Sequence, residues 1–300
     1  MRERKACFGE LIQIEGSDHD WFEGRSLRCI LLVFVDDATG KLVELRFVPH
    51  ESFFGYCEVA RHYFERYGKP GAFSSDKHGI FHLNTSKVTP EDDMTDFSRA
   101  MPELGILIIC ANTPQFKGRV ERANQSLQDC LTKELRLRGI STPEEANAWL
   151  PEFMEDYNQR FATVALSEIN FHTPLSISDN LDHILCRKES CILSKNLTFQ
   201  YRKTVYQIRV NRPSYAMRKA QVTVLENALG HVTVLYKNHP IPFEVYYQHA
   251  KQAEVVPSKS IDFELLNASN AHKPARDHLW RKSWPKKNAP IQGDILTLSD

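Results

Sequence analysis

The stretch Cys29-Ile-Leu-Leu-Val-Phe-Val35 is an unbroken run of apolar residues, which predicts a strand that is buried on both faces. Before it, Leu11-Ile-Gln-Ile-Glu15 alternates between apolar and polar residues and predicts a shorter strand. After it, the turn Asp36-Asp-Ala-Thr-Gly40 leads into Leu42-Val-Glu-Leu-Arg-Phe-Val48, a third strand that Pro49 ends. The chain is therefore predicted to begin its fold with three consecutive strands.

Helices and further strands alternate after Pro49. The predicted elements are a helix over 52–67, a strand over 72–76, a helix over 97–104, a strand over 106–110, a long helix over 119–138 and a helix from the capping box at Thr142 to about Phe161. The order β-β-β-α-β-α-β-α-α predicts an α/β fold, in which a mixed sheet is flanked by helices.

The second part of the chain has a different pattern. After a loop over 162–180, four short alternating segments predict strands: 197–201, 205–210, 221–225 and 231–236. Four or five short strands predict a small all-β barrel. From about Pro257 the chain is rich in Lys, Asn, Ser and Pro, which predicts a flexible tail.

The net charge is zero, but it is distributed unevenly along the chain. Residues 1–175 carry 20 Lys and Arg against 27 Asp and Glu, whereas residues 176–300 carry 18 against 11. Such asymmetry predicts an acidic catalytic half joined to a basic half that binds nucleic acid.

The basic charge is concentrated in residues 187–219, which hold nine basic residues and a single acid, Glu189. Three tyrosines, Tyr201, Tyr206 and Tyr215, interleave with these charges. The alternative interpretation is an ordinary solvated strand face, and the tyrosines favour nucleic-acid binding over it.

Two classes of protein are disfavoured. No apolar run approaches the ~18 residues of a membrane helix, and the N-terminus lacks the apolar segment of a secretory signal. The seven cysteines include no C-x-x-C pair, which disfavours a zinc module or a disulfide framework and favours a reducing cytosol. The predicted location is the cytoplasm.

Three carboxylates occupy positions typical of a metal site. Glu15 is predicted to end the first strand, Asp76 to end the fourth, and Glu121 to lie in the first turn of the long helix. Together they would supply the oxygen ligands that hard divalent cations prefer, and two such cations support in-line displacement at phosphorus. A single Asp or Glu is most often a solvated surface group. The prediction of a metal site therefore depends on the three carboxylates taken together.

The long helix is predicted to have two faces. A polar stripe, within about 40° of Glu121 on the helical wheel, consists of Gln125, Gln128 and Thr132. An apolar stripe, about 80° away, consists of Leu127, Leu131 and Leu135. Glu121 is therefore predicted to face a cleft while the leucines anchor the helix in the core.

Several motifs resemble the integrase core of bacterial insertion-sequence transposases, especially the ISNCY-type elements. They are Gln13-Ile-Glu-Gly-Ser17, Val33-Phe-Val-Asp-Asp-Ala-Thr-Gly40, Ser75-Asp-Lys-His78, Ala111-Asn-Thr-Pro-Gln-Phe-Lys-Gly-Arg-Val-Glu-Arg-Ala-Asn-Gln125 and Leu127-Gln-Asp with Leu135-Arg-Leu-Arg138. The resemblance covers about Gly9 to Phe161 and is weaker beyond, through the basic β region and the tail around Trp280. The string Asn-x-Pro-Gln, followed by Gly and Glu at the opening of a helix, is its most specific part.

The resemblance implies a ribonuclease-H-like DDE enzyme that cuts and joins DNA with Mg²⁺ or Mn²⁺. Asp76 matches the second metal ligand of this family and Glu121 the third. The expected partners are double-stranded DNA, as element ends and target, and further copies of the chain; no membrane is expected. The implied divisions are a stub (1–8), the catalytic core (9–161), a linker (162–186), a β-barrel that binds DNA (187–256) and a flexible basic tail (257–300).

Basic residues are predicted to contact DNA phosphates at two places. Those beside the carboxylates are Lys77, His78, Lys117, Arg119 and Arg122, and a solvated role for the first two stays open. Those in the β part are Arg202, Lys203, Arg209, Arg212, Arg218 and Lys219. Binding at the second place is expected to show little sequence preference.

The chain departs from the family at two points. Glu15 stands where the family has Asp, and the added methylene moves the carboxylate by ~1.3 Å if nothing adjusts; misplacements of ~1 Å can lower a rate about 100-fold. The family also has helix-turn-helix modules before the core, whereas this chain starts almost at the core, so a truncated form is expected. Glu15→Asp is accordingly predicted to raise activity.

Two further functions remain open beside an active transposase. One is a DNA-binding remnant whose site is impaired, and the other, less favoured, is a ribonuclease-H-like nuclease. Among other residues, Asp18 and Asp20 are predicted to lie in the loop after the first strand, as weak substitutes for Glu15. Asp36 and Asp37 are predicted to form a turn, and Trp21 is predicted to anchor the core.

Overall fold

The computed structural model describes residues 3–76, 79–81, 94–110, 114–210 and 215–248. The first elements are β1 (Cys7–Phe8), β2 (Leu11–His19), β3 (Cys29–Asp36), β4 (Leu42–Val48), α1 (Phe53–Tyr67), β5 (Ala72–Ser75), α2 (Asp96–Glu103), β6 (Leu107–Cys110), α3 (Pro114–Leu137), α4 (Pro143–Phe161) and β7 (Ser167–Asn170). The later ones are α5 (Leu181–Ile184), β8 (Arg187–Ile192), β9 (Thr198–Tyr201), β10 (Thr204–Ile208), β11 (Gln221–Glu226), β12 (Val232–Tyr236), β13 (His239–Pro240) and β14 (Phe243–Gln248).

A mixed sheet organises the first part of the chain. Its strand order is β4-β3-β2-β5-β6 within the described residues. β3 runs antiparallel to both β2 and β4, whereas β5 pairs in parallel with β2 and with β6. The predicted mixed sheet flanked by helices is confirmed, and this arrangement fits a ribonuclease-H-like fold.

Helices cover both faces of the sheet. This packing explains why β3 is apolar from Cys29 to Val35. Leu32 and Phe34 pack toward α1 and α2, whereas Leu31, Val33 and Val35 pack toward α3 and α4. Successive side chains of a strand point to opposite faces, so a strand covered on both sides has no polar position.

β2 lies beside β3 but is apolar on one face only. Ile12 and Ile14 pack into the same core as α1. The alternate positions are Gln13, Glu15 and Ser17, which by the alternation of a strand belong to the face that α3 covers. The centre of the sheet therefore presents a polar stripe to one helix.

Two predicted boundaries are wrong in a way that affects the carboxylates. β2 continues to His19, because its backbone stays paired with the apolar β3 as far as Cys29; Glu15 is thus a central residue of the strand and not its end. α3 begins at Pro114 instead of Arg119, since proline is well suited to the first helical position. Glu121 therefore lies beyond the first turn.

The second part forms two small antiparallel sheets, with strand orders β13-β12-β11-β8 and β14-β10-β9. Side chains from both sheets share one core, including Phe199 and Ile208 from one and Val222, Val224 and Val234 from the other. The four predicted strands are present, and β8, β13 and β14 were not predicted.

The segment between the two parts is partly built into the first. β7 pairs in parallel with β1, and Leu181, Ile184 and Leu185 join the core that α1 and β2 form. None of the helices within the described ranges combines the length and apolar character that a bilayer-spanning segment requires. The predicted tail lies outside the described residues.

Burial raises the pKa of Glu44 on β4 to about 7, against the opposing charges of Arg66 and Arg46. The folded protein therefore holds this proton more tightly than the unfolded chain, whose carboxyl titrates near 4.5. The contribution of the protonated Glu44 carboxyl to stability is fully present below about pH 4.5. It is lost as the pH rises through 7 and the buried group ionises. Glu44→Gln should therefore gain stability over the natural chain between pH 5 and pH 8.

This expectation is checked by urea unfolding of both proteins at the two pH values. Glu65→Gln, which removes an exposed carboxylate from α1, is the matched control and should leave the pH dependence unaltered. Equal pH dependence of Glu44→Gln and the natural chain would contradict the assignment.

Candidate active site

Gln13 joins the central strand to α3. Its Oε1 accepts hydrogen bonds from the backbone N–H groups of Arg119 (3.2 Å) and Val120 (3.1 Å), and its Nε2 donates to Asp37 Oδ1 at 2.7 Å. The side chain is 1% exposed, so these bonds satisfy a buried amide. Gln13 consequently fixes where α3 crosses β2.

Two further side-chain contacts continue this line. Asn124 Nδ2 donates to Glu15 Oε2 at 2.9 Å, and Gln128 Nε2 donates to Ser17 Oγ at 3.3 Å. Two strand residues advance about 6.6 Å and four helical residues about 6 Å, so the spacings of the two elements match. We call this line of contacts, from Gln13 to Ser17 on β2 and from Arg119 to Gln128 on α3, the polar seam.

Glu15 and Glu121 line one pocket at the edge of the polar seam. Its volume is about 350 Å³, and its lining residues are Glu15, Gly16, Ser17, Asp18, Glu121, Asn124, Gln125 and Gln128. The apolar stripe of α3 is fully buried on the other side of the helix, at Leu127, Leu131 and Leu135. The predicted division of this helix into a cleft face and a core face thus matches its packing.

Asp76 follows β5 directly, just beyond the part of the strand that pairs with β2. The last pair of β2 and β5 is Gln13 with Ser74, and the same register continued by two residues would set Asp76 beside Glu15. Asp76 is not among the residues that line the pocket. The meeting of all three carboxylates around one cleft therefore stays a prediction.

Tyr56 on α1 lies within electrostatic range of both Glu15 and Asp76. Burial raises its pKa most, and the negative charges of Glu51, Asp76 and Glu15 raise it further. Tyr56 donates its hydroxyl hydrogen bond to Glu51 Oε2 at 3.0 Å. Three carboxylates, from β2, from the residue after β5 and from the segment before α1, therefore act on the same tyrosine.

Glu51 was not predicted as part of the site. A Cβ at position 16 would overlap the carboxylate of Glu51 in its present position, so the glycine leaves room for this side chain beside Glu15. The motif Gln13-Ile-Glu-Gly-Ser17 contained this signal, because a glycine in a strand interior often marks a close approach of another group. Asn124 was also missed, although it stands three residues after Glu121 and so on the same helical face.

The donor chemistry of the pocket fits a hard divalent cation, although a complete ligand set is not seen. Glu15 and Glu121 offer carboxylate oxygens, and Asn124 Oδ1 has no hydrogen-bond partner among the described residues. Such oxygens are the ligands that Mg²⁺ and Mn²⁺ take. Within the part of the chain that is described, no three His, Cys, Asp or Glu residues are grouped closely enough to hold a metal ion.

The basic residues predicted beside the carboxylates are only partly described. Lys77 and His78 lie outside the described residues, as does the side chain of Lys117. Arg119 is half-buried on α3 and Arg122 is exposed, on either side of Glu121. Their predicted contact with phosphate stays a prediction.

In the β part, acids from elsewhere in the chain pair with several of the predicted DNA-binding residues. Arg202 pairs with Glu226 at 2.6 Å, and Arg209 pairs with Glu244. Lys203, Arg218 and Lys219 are exposed, whereas Arg212 lies outside the described residues. The local excess of base counted along the sequence is therefore reduced by the fold.

Two of the three tyrosines that favoured DNA binding, Tyr201 and Tyr206, are core residues. Tyr201 is 3% exposed and donates its hydroxyl hydrogen bond to Glu226 Oε2 at 3.0 Å. Tyr206 is 9% exposed and stacks on Phe199, with ring centroids 5.2 Å apart. The interpretation of Tyr201 and Tyr206 as an indication of DNA binding was wrong, because every second side chain of a strand faces the core between the two sheets. The side chain of Tyr215 lies outside the described residues.

The aspartates near the first strands differ in their positions and contacts. Asp36 is buried and accepts hydrogen bonds from the N–H groups of Gly9 and Thr39, which agrees with a turn former. Asp18 lies within β2, opposite Ile30, so its predicted loop position is wrong. Trp21 is buried and donates its indole hydrogen bond to Ser17 O at 3.0 Å, which confirms the core anchor.

Comparison with known proteins identifies the relatives of the chain. No family model matches it. It is 41% identical over 263 residues to "Putative transposase y4bF" of Sinorhizobium fredii, a match that covers 87% of this chain and 58% of that protein. It is 30% identical over 292 residues to the transposase for insertion sequence IS1202 of Streptococcus pneumoniae, which covers 96% of this chain and 59% of that protein.

The resemblance to transposases is confirmed. The chain spans less than two thirds of the length of these two transposase relatives.

Solved structures show a looser likeness. One is the simian T-cell lymphotropic virus intasome in complex with PP2A regulatory subunit B56 gamma, with a TM-score of 0.40 and 14% identity over 84% of this chain and 82% of that one. Another is the HTLV-2 integrase catalytic core domain in complex with magnesium (dimeric form), with a TM-score of 0.40 and 15% identity over 56% and 99%. At these TM-scores nothing about the site follows from them.

Replacing Gln13 should weaken the whole fold. In Gln13→Leu, two backbone N–H groups of α3 and the buried Asp37 lose a partner, which should lower the free energy of unfolding by about 2–3 kcal/mol. Urea unfolding measures the change. Gln125→Leu, at an exposed position of the same helix, is the control and should stay within about 0.5 kcal/mol; equal midpoints for the two variants would show that Gln13 does not hold α3.

Proposed function

We propose that the chain cleaves DNA strands and transfers them to target DNA, with Glu15, Asp76 and Glu121 as its catalytic carboxylates. One observation carries the proposal: Glu15 and Glu121, from a central strand and a distant helix, line one pocket in a chain that resembles transposases over most of its length. The parallel pairing of β2 with β5, whose continuation would bring Asp76 beside Glu15, supports the assignment of Asp76.

The three carboxylates are proposed to hold two Mg²⁺ or Mn²⁺ ions. When bound, such ions stabilise charge on the attacking and leaving oxygens of an in-line displacement. The chain's own contribution is positional: Gln13 sets the register of α3 against β2, and Asn124 holds one oxygen of Glu15. These contacts define where the carboxylates stand relative to DNA.

Double-stranded DNA is the proposed substrate, both as element ends and as target. Arg119, Arg122, Lys117, Lys77 and His78 adjoin the carboxylates in sequence and are proposed to hold backbone phosphates there. The exposed Lys203, Arg218 and Lys219, together with Arg202, Arg209 and Arg212, are proposed to extend this contact along the duplex.

The remaining organisation is proposed from the same resemblance. Residues 9–161 are proposed to form the catalytic core, 162–186 the connection and 187–256 the β-barrel that binds DNA; the predicted tail, 257–300, lies outside the described residues. The working form is a homo-multimer assembled on DNA in the bacterial cytoplasm, at the nucleoid.

Removing a proposed catalytic carboxylate should abolish cleavage while the fold is kept. Asp76→Asn and Glu121→Gln should each lower Mn²⁺-dependent cleavage of labelled, pre-nicked element ends by at least ~100-fold. The control is Asp129→Asn, which removes an exposed acid from the same helix and should cleave at the natural rate. Cleavage that survives either substitution would remove that residue from the site, and cleavage that survives both would remove the proposed function.

Binding of the full chain to duplex DNA should weaken steeply with salt, because each neutralised phosphate releases counterions. Removing Lys203 and Lys219 together should lower the slope of log affinity against log salt by about two. Lys133→Ala, on α3 and paired with Asp129, is the matched control and should leave the slope unchanged. Fluorescence anisotropy over a range of salt concentrations measures this, and an unchanged slope for the double variant would place the DNA elsewhere.

A further inference from the structure

We propose that Glu103 and Lys188 are positioning residues, which fix the β part on the α/β part and so set where bound DNA stands relative to the carboxylates. The β part is residues 187–248 and the α/β part is residues 3–161, within the described ranges. The inference rests on the proposed function and deepens it, because it concerns the placement of the DNA. Two parts joined by a free linker would be expected to move against each other.

The connection between the two parts is packed against the α/β part up to the first strand of the β part. Leu181, Ile184 and Leu185 are buried in the core that α1, α2 and one face of the sheet form. Arg99 on α2 then donates to the carbonyl oxygens of Ile184 and Cys186, the second of which directly precedes β8. The chain therefore enters β8 from a fixed point on α2.

A carboxylate at the end of α2 bridges the two parts. Arg99 pairs with Glu103 Oε1 at 2.8 Å, and Lys188 on β8 pairs with Glu103 Oε2 at 2.5 Å. The side chains of Lys188 and Glu103 are 23% and 35% exposed. An isolated surface pair contributes little. Here Glu103 is already held by a cation of its own helix, so less side-chain freedom is lost when Lys188 binds it.

The contact continues into the β part through Arg187. Its guanidinium lies 5.1 Å from the centroid of the Phe54 ring on α1 and 3.8 Å from a carboxylate oxygen of Asp96 on α2. The same group reaches Glu226 on β11 at 4.0 Å, and this buried carboxylate pairs with Arg202 at 2.6 Å. A series of ion pairs therefore connects α2 with the turn between β9 and β10.

These contacts place the β part on one side of the α/β part. Residues 181–185 and α2 belong to the core on the α1 face of the sheet, whereas the polar seam lies on the α3 face. A duplex held by the β part thus has a fixed distance from the pocket of Glu15 and Glu121. Because misplacements of ~1 Å can lower a rate about 100-fold, a small tilt of the β part should lower cleavage even where DNA still binds.

The test is a pair of charge reversals and their combination, made in the full chain. Glu103→Lys sets two cations against each other at this contact, and Lys188→Glu sets two carboxylates there. Each should broaden the distance distribution from small-angle X-ray scattering. Each should also lower kcat for Mn²⁺-dependent cleavage of pre-nicked element ends, at saturating DNA, by about 10-fold or more. The combined variant restores opposite charges and should return to within about 3-fold of the natural kcat.

Two controls separate position from charge and from unfolding. Lys237→Glu makes the same charge change at an exposed turn of the β part, between β12 and β13. It should leave kcat and the scattering profile unchanged, and any effect of its charge on DNA binding should be confined to KM. Glu103→Gln and Lys188→Gln replace the reversals if urea unfolding shows either reversal to be unfolded. Their combination should then lose no more activity than either one alone, because both remove the same contact.

Failure of the inference and failure of the proposed function look different. If Asp76→Asn cleaves like the natural chain, the proposed function fails, whereas scattering still reports whether Glu103 and Lys188 hold the β part. If Asp76→Asn is inactive but both single reversals keep the kcat of Lys237→Glu, the inference is overturned even where the scattering profile broadens. A combined variant that is no better than the single reversals would also overturn it, since the two residues would then not act through their contact.

Discussion

The amide of Gln13 is the interaction on which the rest of this site depends. It is buried under α3, at the centre of the sheet, and bonds to the backbone of the helix on one side and to Asp37 on the other. Asp37 in turn accepts a bond from the backbone of Lys5, so the same network reaches the N-terminal segment. A buried amide has few ways to satisfy its donors and acceptor, and this constraint turns a contact between a strand and a helix into a fixed register.

The polar seam explains why a central strand of a covered sheet can hold polar side chains such as Glu15. A strand in the middle of a covered sheet is normally apolar on both faces, as β3 is. β2 departs from this rule on one face, where its polar side chains form hydrogen bonds with α3 at matching intervals. The cost of burying polar groups is offset by pairing them, which leaves Glu15 and Glu121 at the open edge, where they line a pocket together.

The excess of basic residues counted along the sequence overstates the positive charge of the folded β part. Residues 187–219 contain nine bases and one acid, but the folded chain brings Glu226 to Arg202 and Glu244 to Arg209. Lys188 likewise pairs with Glu103 of the α/β part at 2.5 Å. The positive charge that this region presents is therefore smaller than the count along the sequence, because acids from segments distant in sequence offset part of it.

The sequence by itself determined the sheet, the flanking helices, the apolar stripe of α3 and the resemblance to transposases, because hydrophobic periodicity and short motifs are local properties. It placed Trp21 in the core and Asp36 in a turn for the same reason. Only the tertiary structure decided that Glu15 stands within a nine-residue strand, that Asn124 holds its carboxylate, and that Tyr201 and Tyr206 are core residues. Each of these depends on a partner from another element. β2 continues beyond its polar residues because it stays paired with β3, and the tyrosines are buried because a second sheet covers them. Periodicity reports which face of an element is apolar, whereas the partner that covers that face is chosen by the fold.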